Sequence, residues 1–418
     1  MLAFLQVLLA ILISSVLLQD FIGIFFFNLG VPKIVLQLFL ALKDILLVVI
    51  IYLSLVANVI LKKRIRLTST GFFLIFYAII IFVYYTVFYK SRSLMDLRAL
   101  IFPVLAYLAG FLVIIVQKKT ILTWIEKIGA FSVILSLLFY FSGPSFFIKM
   151  RTLAFTEYIR GFYGLVNRGL PSTFFSKFGG VQIFRLAGPI LNPIGTSLLF
   201  IFIFSLIYGY YRYQQWSLMN RCSKTLLVLT LCAILLTLSR GPIIGFFLGY
   251  FILEKFIMPT KRMNKWVIIV GFIFVALSFT TFKNMVMDTI ELRDGSSIAH
   301  AYALENSWNY IKTNWLGAGI GASGKWVKLD ADAAGENSYA MIIGQVGIFS
   351  FICFLCALIS VFITLVRNRH HFMSYGLLLF FICIVFNSMF SASFLSATPT
   401  ILFWFFIGYF EKENACYL

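Results

Sequence analysis

Charge is what this chain has least of. Asp, Glu, Lys and Arg make up only 12% of its 418 residues, against roughly 25% in soluble globular domains. Acids are scarcer still, 15 against 34 Lys and Arg, and there are three histidines. So few charges cannot cover a soluble fold of this length. Cysteine is equally sparse: Cys222, Cys232, Cys353, Cys356, Cys383 and Cys416 fall in apolar runs or in segments expected inside the cell, so no disulfide framework is implied. Cys353 and Cys356 have a C-x-x-C spacing without polar neighbours, which suits two small helix residues better than a metal or redox pair. The N-terminus lacks a basic region and a small-residue cleavage site, so Leu2 to Leu18 is expected to be a retained first helix. No internal repeat is present, and the short alternating segments of a closed β-barrel are missing.

What fills the chain is apolar sequence, 61% of residues, with a mean hydropathy of +0.99. Runs of about 17 to 25 apolar residues, each able to cross a hydrocarbon core of about 30 Å as a helix, recur from end to end. The expectation is an all-α polytopic integral membrane protein, a single membrane domain over 1–418 with about twelve transmembrane helices. The formal net charge of +19 does not point to nucleic acid, because the basic residues cluster in short groups between apolar runs, as the positive-inside rule expects.

Those clusters set the topology. Lys62, Lys63, Arg64 and Arg66 follow the run Ile34 to Ile60 and are expected inside; Lys118 and Lys119, then Arg212, Arg221 and Lys224, then Lys255, Lys261, Arg262 and Lys265, then Arg367 and Arg369 repeat the pattern. Both termini then lie inside. Lys43 and Asp44 sit within an apolar run, where each charge would cost about 2.5 to 3.5 kcal/mol near the bilayer centre; an interfacial or mutually paired couple is the plain reading.

Two large loops fall on the outer side, 142–189 and 283–338. The first carries Lys149, Arg151, Arg160, Arg168, Lys177 and Arg185 against one acid, Glu157, interleaved with Phe146, Phe147, Phe155, Tyr158, Phe162, Tyr163, Phe174 and Phe175. Such a mixture suits a segment in the membrane interface. It serves either attraction to anionic lipid head groups or a cradle for an anionic lipid-linked substrate, since arginine forks match phosphate oxygens. The second loop is a polar island from Arg293 to Gly347, and intramembrane or flanking polar chemistry this concentrated is a functional-site candidate. Between two short apolar runs, Ser239-Arg240-Gly241-Pro242 is expected at the tip of a tight helix hairpin, with a snorkelling arginine as the plain alternative.

Three ordered motifs carry a resemblance. Arg185-Leu186-Ala187-Gly188-Pro189-Ile190-Leu191-Asn192-Pro193 stands before a helix and Ser239-Arg240-Gly241 between two short ones. Arg293 then leads through Gly319-Ile320-Gly321 to Glu336-Asn337-Ser338-Tyr339 with Gly344 and Gly347. Together they resemble the O-antigen polymerase and O-antigen ligase superfamily over most of the chain. The resemblance implies a GT-C-like frame in a bacterial inner membrane, with the active site facing the periplasm or outside. It implies a metal-independent inverting glycosyltransferase without cofactor, acting on oligosaccharide carried by undecaprenyl pyrophosphate, with membrane lipids around it and a chain-length regulator protein as a partner. A polymerase moves the growing chain onto the next lipid-linked repeat unit; a ligase moves the finished chain onto lipid A-core. Ligases of the superfamily carry histidine where Glu336 stands here, and E-N-S-Y favours the polymerase.

The residues support that chemistry independently. Displacing a polyprenyl pyrophosphate needs stabilisation of leaving-group charge, for which Arg185, Arg240 and Arg293 are the candidates. An acceptor hydroxyl must lose its proton, for which Glu336 is the candidate base and His300 the alternative. Arg160, Arg168, Asn337, Tyr339 and His300 are the substrate-binding candidates; for Asn337 and Tyr339, helix capping and interfacial anchoring remain open beside that role. Gly317, Gly319 and Gly321 follow no strand and read as a flexible turn, not a nucleotide site. Asp330 and Asp332 in an Ala-rich loop read as solvated surface, not as a metal site. A flippase or transporter would also explain many helices and interior charges; it should show paired inverted halves or broken helices at mid-membrane, and the asymmetric placement of two large outer loops argues against it.

Overall fold

The computed structural model describes residues 2–62, 65–87, 93–114, 118–160, 166–178, 181–214, 221–258, 295–323, 337–395 and 397–415. Within them the architecture is all-α apart from two small β-ribbons. The helices are α1 (Leu2–Asn28), α2 (Lys33–Leu40), α3 (Leu42–Ile60), α4 (Ser69–Val87), α5 (Leu94–Leu112), α6 (Lys118–Phe141), α7 (Pro144–Lys149) and α8 (Thr152–Arg160). After the ribbons β1–β2 (Val166–Asn167, Leu170–Pro171) and β3–β4 (Phe175–Phe178, Val181–Phe184) come α9 (Pro193–Gln214), α10 (Arg221–Leu236), α11 (Arg240–Ile252), α12 (Gly295–Thr313), α13 (Ser338–Arg367), α14 (Phe372–Asn387) and α15 (Ala397–Ala415). Seven of these helices are long and apolar enough to cross a membrane, because in hydrocarbon only a helix satisfies its backbone within one segment. The protein is an all-α polytopic membrane protein.

Eleven of the twelve expected apolar runs are helical here; the twelfth, 266–282, lies outside the described residues. Two boundaries differ from expectation. The first helix runs on to Asn28 instead of ending near Leu18. The run from Ile34 to Ile60 is broken at Ala41 into α2 and α3, so that the charged pair falls in the first turn of α3. There Lys43 is buried and donates from Nζ to Gln19 Oε1 of α1 at 2.6 Å. A polar partner meets the charge, as the low dielectric requires.

The chain divides into two compact units. The first comprises Met1–Lys63, Val113–Phe246 and His370–Phe380. Its loop after α6 is folded, not extended: α7, α8 and both ribbons close over a cluster that includes Phe147, Phe155, Phe174 and Phe175 with Ile24 of α1 and Leu36 of α2. Aromatic edge-to-face pairs such as Phe147 with Phe174, centroids 5.3 Å apart, give this cap its packing. Arg151 and Lys33 lie over the rings of Phe27 and Tyr158, which keeps their heads at the edge of the apolar cluster.

The second unit comprises Arg64–Leu112, Phe247–Arg369 and Phe381–Leu418. Its tightest packing is α5 on α15, where Gly110 faces the carbonyl of Phe405 and Gly408 faces that of Tyr107. Small residues let two backbones approach this closely in a membrane. The buried Glu411 of α15 accepts from Tyr107 of α5 at 2.7 Å and from Thr68 and Thr70 at the start of α4. One carboxylate thus ties three helices by hydroxyl donors. Replacing Thr70 by valine, which keeps the shape and removes a donor to a buried carboxylate, is expected to cost about 1–3 kcal/mol, read as a lower melting temperature.

Candidate functional site

In the first unit the first two motifs meet. The ribbon β3–β4 runs out into Arg185, whose N–H donates to Phe174 O at 2.9 Å, and the next residue, Leu186, donates to Leu236 O at the end of α10 at 3.0 Å. Gly188–Ile190 then form a 3-10 turn, Leu191 takes a left-handed φ of 55°, and Asn192 Oδ1 caps α9 by accepting from Gly195 N at 3.0 Å. Pro193 at the first helical position suits a site with no donor to satisfy. The Arg185–Pro193 motif is therefore a device that turns the chain from the cap into α9 while leaving Arg185 beside the α10–α11 connection.

Arg185 is fixed there by neutral partners. Nε donates to Thr237 O at 2.9 Å, Nη2 to Ser239 Oγ at 2.8 Å and Nη1 to Thr173 O at 3.2 Å. Loss of hydration pushes its guanidinium down to about 10, and the like charge of Arg240 adds to the shift. The group stays cationic at neutral pH. Arg240 is the first residue of α11, immediately after the tight connection that was expected, with Leu238 at φ 49°. Arg185, whose partners among the described residues are all neutral, and the like-charged Arg240 that it senses are an arrangement suited to an anion with several oxygens.

The remaining residues of the cap are more dispersed. Arg168 is exposed at the turn of the β1–β2 ribbon, its guanidinium 5.9 Å from the Phe175 ring centroid. Arg160 is the last residue of α8.

In the second unit the third motif is built around a broken helix. Gly347, with φ 77° and ψ 171°, interrupts α13, although the run around it reads as continuously apolar. The freed backbone is met by the segment after α12. Ala318 N donates to Gly344 O at 2.8 Å, Gly319 N to Gln345 O at 3.1 Å, and Ile348 N to Trp315 O at 2.9 Å. Gly321 N donates to Gln345 Oε1 at 3.0 Å, and Tyr84 Oη to Leu316 O. Gly317, Gly319 and Gly321 all have φ near 90–100°, a region closed to most L-residues. The expected flexible turn is thus a pinned strap, since backbone groups freed at a buried helix break must find partners. Gly347→Ala is expected to lower stability by about 2 kcal/mol or more, through left-handed strain and overlap with Leu316 O. Thermal unfolding of the purified variant checks this; an unchanged midpoint would show that the break tolerates a side chain.

Asn337 is the N-cap of α13, its Oδ1 accepting from Tyr339 N at 2.9 Å and Ala340 N at 3.1 Å. Tyr339 points inward and donates to Val385 O at 3.0 Å. Capping, left open for Asn337, is the role its described bonds fill, while Tyr339 ties α13 to α14 inside the protein. A second set of polar groups, which sequence reasoning missed, supports the same end of α13. Ser338 N donates to Ser388 O at 3.1 Å, Ser338 Oγ to Ser391 O at 2.9 Å, and Asn387 Nδ2 to Ser391 Oγ at 2.8 Å. The cluster Asn387, Ser388, Ser391 and Ser393 was its only signal in the sequence. His300 falls on α12. Glu336 and Arg293 lie outside the described residues.

Helices throughout, an arginine corner and a capped, broken helix define a class: a multi-pass membrane protein with its polar chemistry gathered at helix ends. Residues 225–355 match the O-antigen ligase family, Wzy_C. The match covers about a third of the chain and is consistent with the resemblance of the second and third motifs to the O-antigen polymerase and ligase superfamily, a group of glycosyltransferase-like enzymes linked to lipopolysaccharide biosynthesis. The matched segment starts within α10 and ends within α13, beyond its break at Gly347, so it includes Arg240 and Asn337 but not Arg185. No curated protein matches the chain.

Proposed function

We propose that the protein is an oligosaccharide repeat-unit polymerase of a bacterial inner membrane. It transfers the growing glycan from undecaprenyl pyrophosphate onto the next undecaprenyl-pyrophosphate-linked repeat unit, on the periplasmic or outer side and without a metal. The observation that carries this reading is the Arg185–Arg240 pair, with Arg185 bonded, among the described residues, only to neutral groups. A pyrophosphate leaving group gathers negative charge as its bond to the anomeric carbon breaks. Preorganised guanidinium donors act where that charge develops, without reorganisation at the moment of reaction. Arg293 is the further candidate for that role. Arg160 and Arg168, on the cap, hold the phosphates of the arriving substrate.

The acceptor hydroxyl gives its proton to Glu336, one residue before the cap of α13, with His300 as the alternative base. The glycan leaves its old carrier by inversion at the anomeric carbon, and that carrier departs as undecaprenyl pyrophosphate. Asn337 and Tyr339, next in the chain after Glu336, are the substrate-binding candidates on that side of the reaction. A chain-length regulator protein is the expected partner.

Purified protein given synthetic undecaprenyl-pyrophosphate repeat units, with chelator present, should yield a ladder of lengths on a gel. Glu336→Gln should abolish the ladder and His300→Ala should leave it, and the reverse result would exchange the two as base. The matched family's own description favours a second reading, the ligase. Absence of a ladder, with transfer onto lipid A-core when that acceptor is supplied, would move the assignment there.

A further inference from the structure

Glu126 of α6 is an acid that the proposed reaction does not use, and it sits in a cleft of the first unit. The cleft, of about 80 Å³, is lined by Leu122, Thr123 and Glu126 of α6 and by Ile207, Tyr210 and Tyr211 of α9. Glu126 Oε1 accepts from Ser223 Oγ of α10, and Tyr211 Oη stands 2.9 Å from that Ser223 oxygen and 3.5 Å from Oε1. Among the described residues no hydrogen bond or ion pair reaches Oε2. A half-buried carboxylate with an oxygen to spare, in a cleft walled by two phenol rings, is a receptor for a cation with N–H donors.

Its surroundings narrow the choice of cation. Lys127 follows Glu126, Arg212 follows Tyr211, and Arg221 and Lys224 flank Ser223; Lys127, Arg221 and Lys224 are exposed. A simple cation approaching this end is repelled everywhere except at the cleft. An anion is drawn to the rim but repelled at the cleft. A group with a phosphate and an ammonium a few bonds apart satisfies both. The apolar stretches of α6 and α9 run over Ile121–Phe141 and Pro193–Tyr213, so Leu122 and Tyr210 lie at or near an end of each, where a span of this length brings side chains close to lipid head groups.

We infer that this cleft, formed by Glu126, Tyr210 and Tyr211, binds the ammonium of an ethanolamine phospholipid head group, with the phosphate facing the basic rim. A quaternary ammonium would bring no N–H to Oε2, so the choline head group is disfavoured. The site is independent of the transferase reading.

Full-length protein in detergent, titrated with phosphatidylethanolamine, phosphatidylcholine and phosphatidylglycerol of matched acyl chains and followed by native mass spectrometry, tests this directly. Phosphatidylethanolamine should bind about tenfold or more tightly than the other two, the worth of one hydrogen bond to a charged group, and Glu126→Gln should level the three. If that variant does not accumulate, Tyr210→Leu should weaken the same preference by removing one aromatic wall. Equal binding of phosphatidylglycerol, or a preference that survives Glu126→Gln, would overturn the assignment. Displacement of the lipid by free ethanolamine at comparable concentration would keep the ammonium site and identify its source as a soluble amine.

Discussion

Arg240→Ala should leave the protein at wild-type level in the membrane and slow polymer formation by about 100- to 1,000-fold, the cost of losing one preorganised donor to developing charge. Arg240→Lys keeps a positive charge but not the planar fork, so it should recover only part of the rate. Arg185→Ala should be at least as damaging, for two reasons. It removes a guanidinium, and it also removes the bonds to Thr237 O, Thr173 O and Ser239 Oγ that join the ribbon to the α10–α11 connection. The double variant should be little worse than either single one, because groups acting on one charge are not additive. The measurement is the initial rate of ladder formation, normalised to the amount of inserted protein. Wild-type rates in both single variants would remove the arginine corner from the reaction.

The helices were legible because in lipid an apolar run of sufficient length has one stable backbone solution. The corner was only partly so. Arg185 and Arg240 could each be picked out as cations beside apolar runs, but their meeting depends on Leu186 N reaching Leu236 O, a pairing fifty residues apart that no local pattern announces. The break at Gly347 was hidden for the opposite reason. Hydropathy over Ser338–Arg367 is the highest of the candidate spans, and a glycine within it reads as a packing residue until its φ is known. The strap residues Gly317, Gly319 and Gly321 carried a turn signal, while their partners, the carbonyls of Gly344 and Gln345, are backbone atoms that every sequence possesses. The folded cap was missed too, since ribbons of two and four residues held by phenylalanine contacts leave no periodicity to detect.

Gly110→Val and Gly408→Val should have the largest effects on stability. A Cβ on Gly110 would overlap the carbonyl oxygen of Phe405, and one on Gly408 the carbonyl oxygen of Tyr107. The obstacle in each case is backbone, which no rotamer change can move aside. Helices α5 and α15 must therefore separate, forfeiting dispersion contacts along their length. The same movement draws Tyr107 away from Glu411 and exposes the carboxylate tie to α4. A cost of about 3 kcal/mol or more follows from overpacking and the strained tie together, corresponding to a fall of about 6–12 °C in melting temperature for a domain of some 200 residues. Gly195→Ala is the control. Its Cβ would meet Ile190 at ordinary contact distance, and alanine is the better helix former, so its melting temperature should be unchanged or slightly raised. Equal melting temperatures for Gly110→Val and Gly195→Ala would show that α5 and α15 are not in backbone contact.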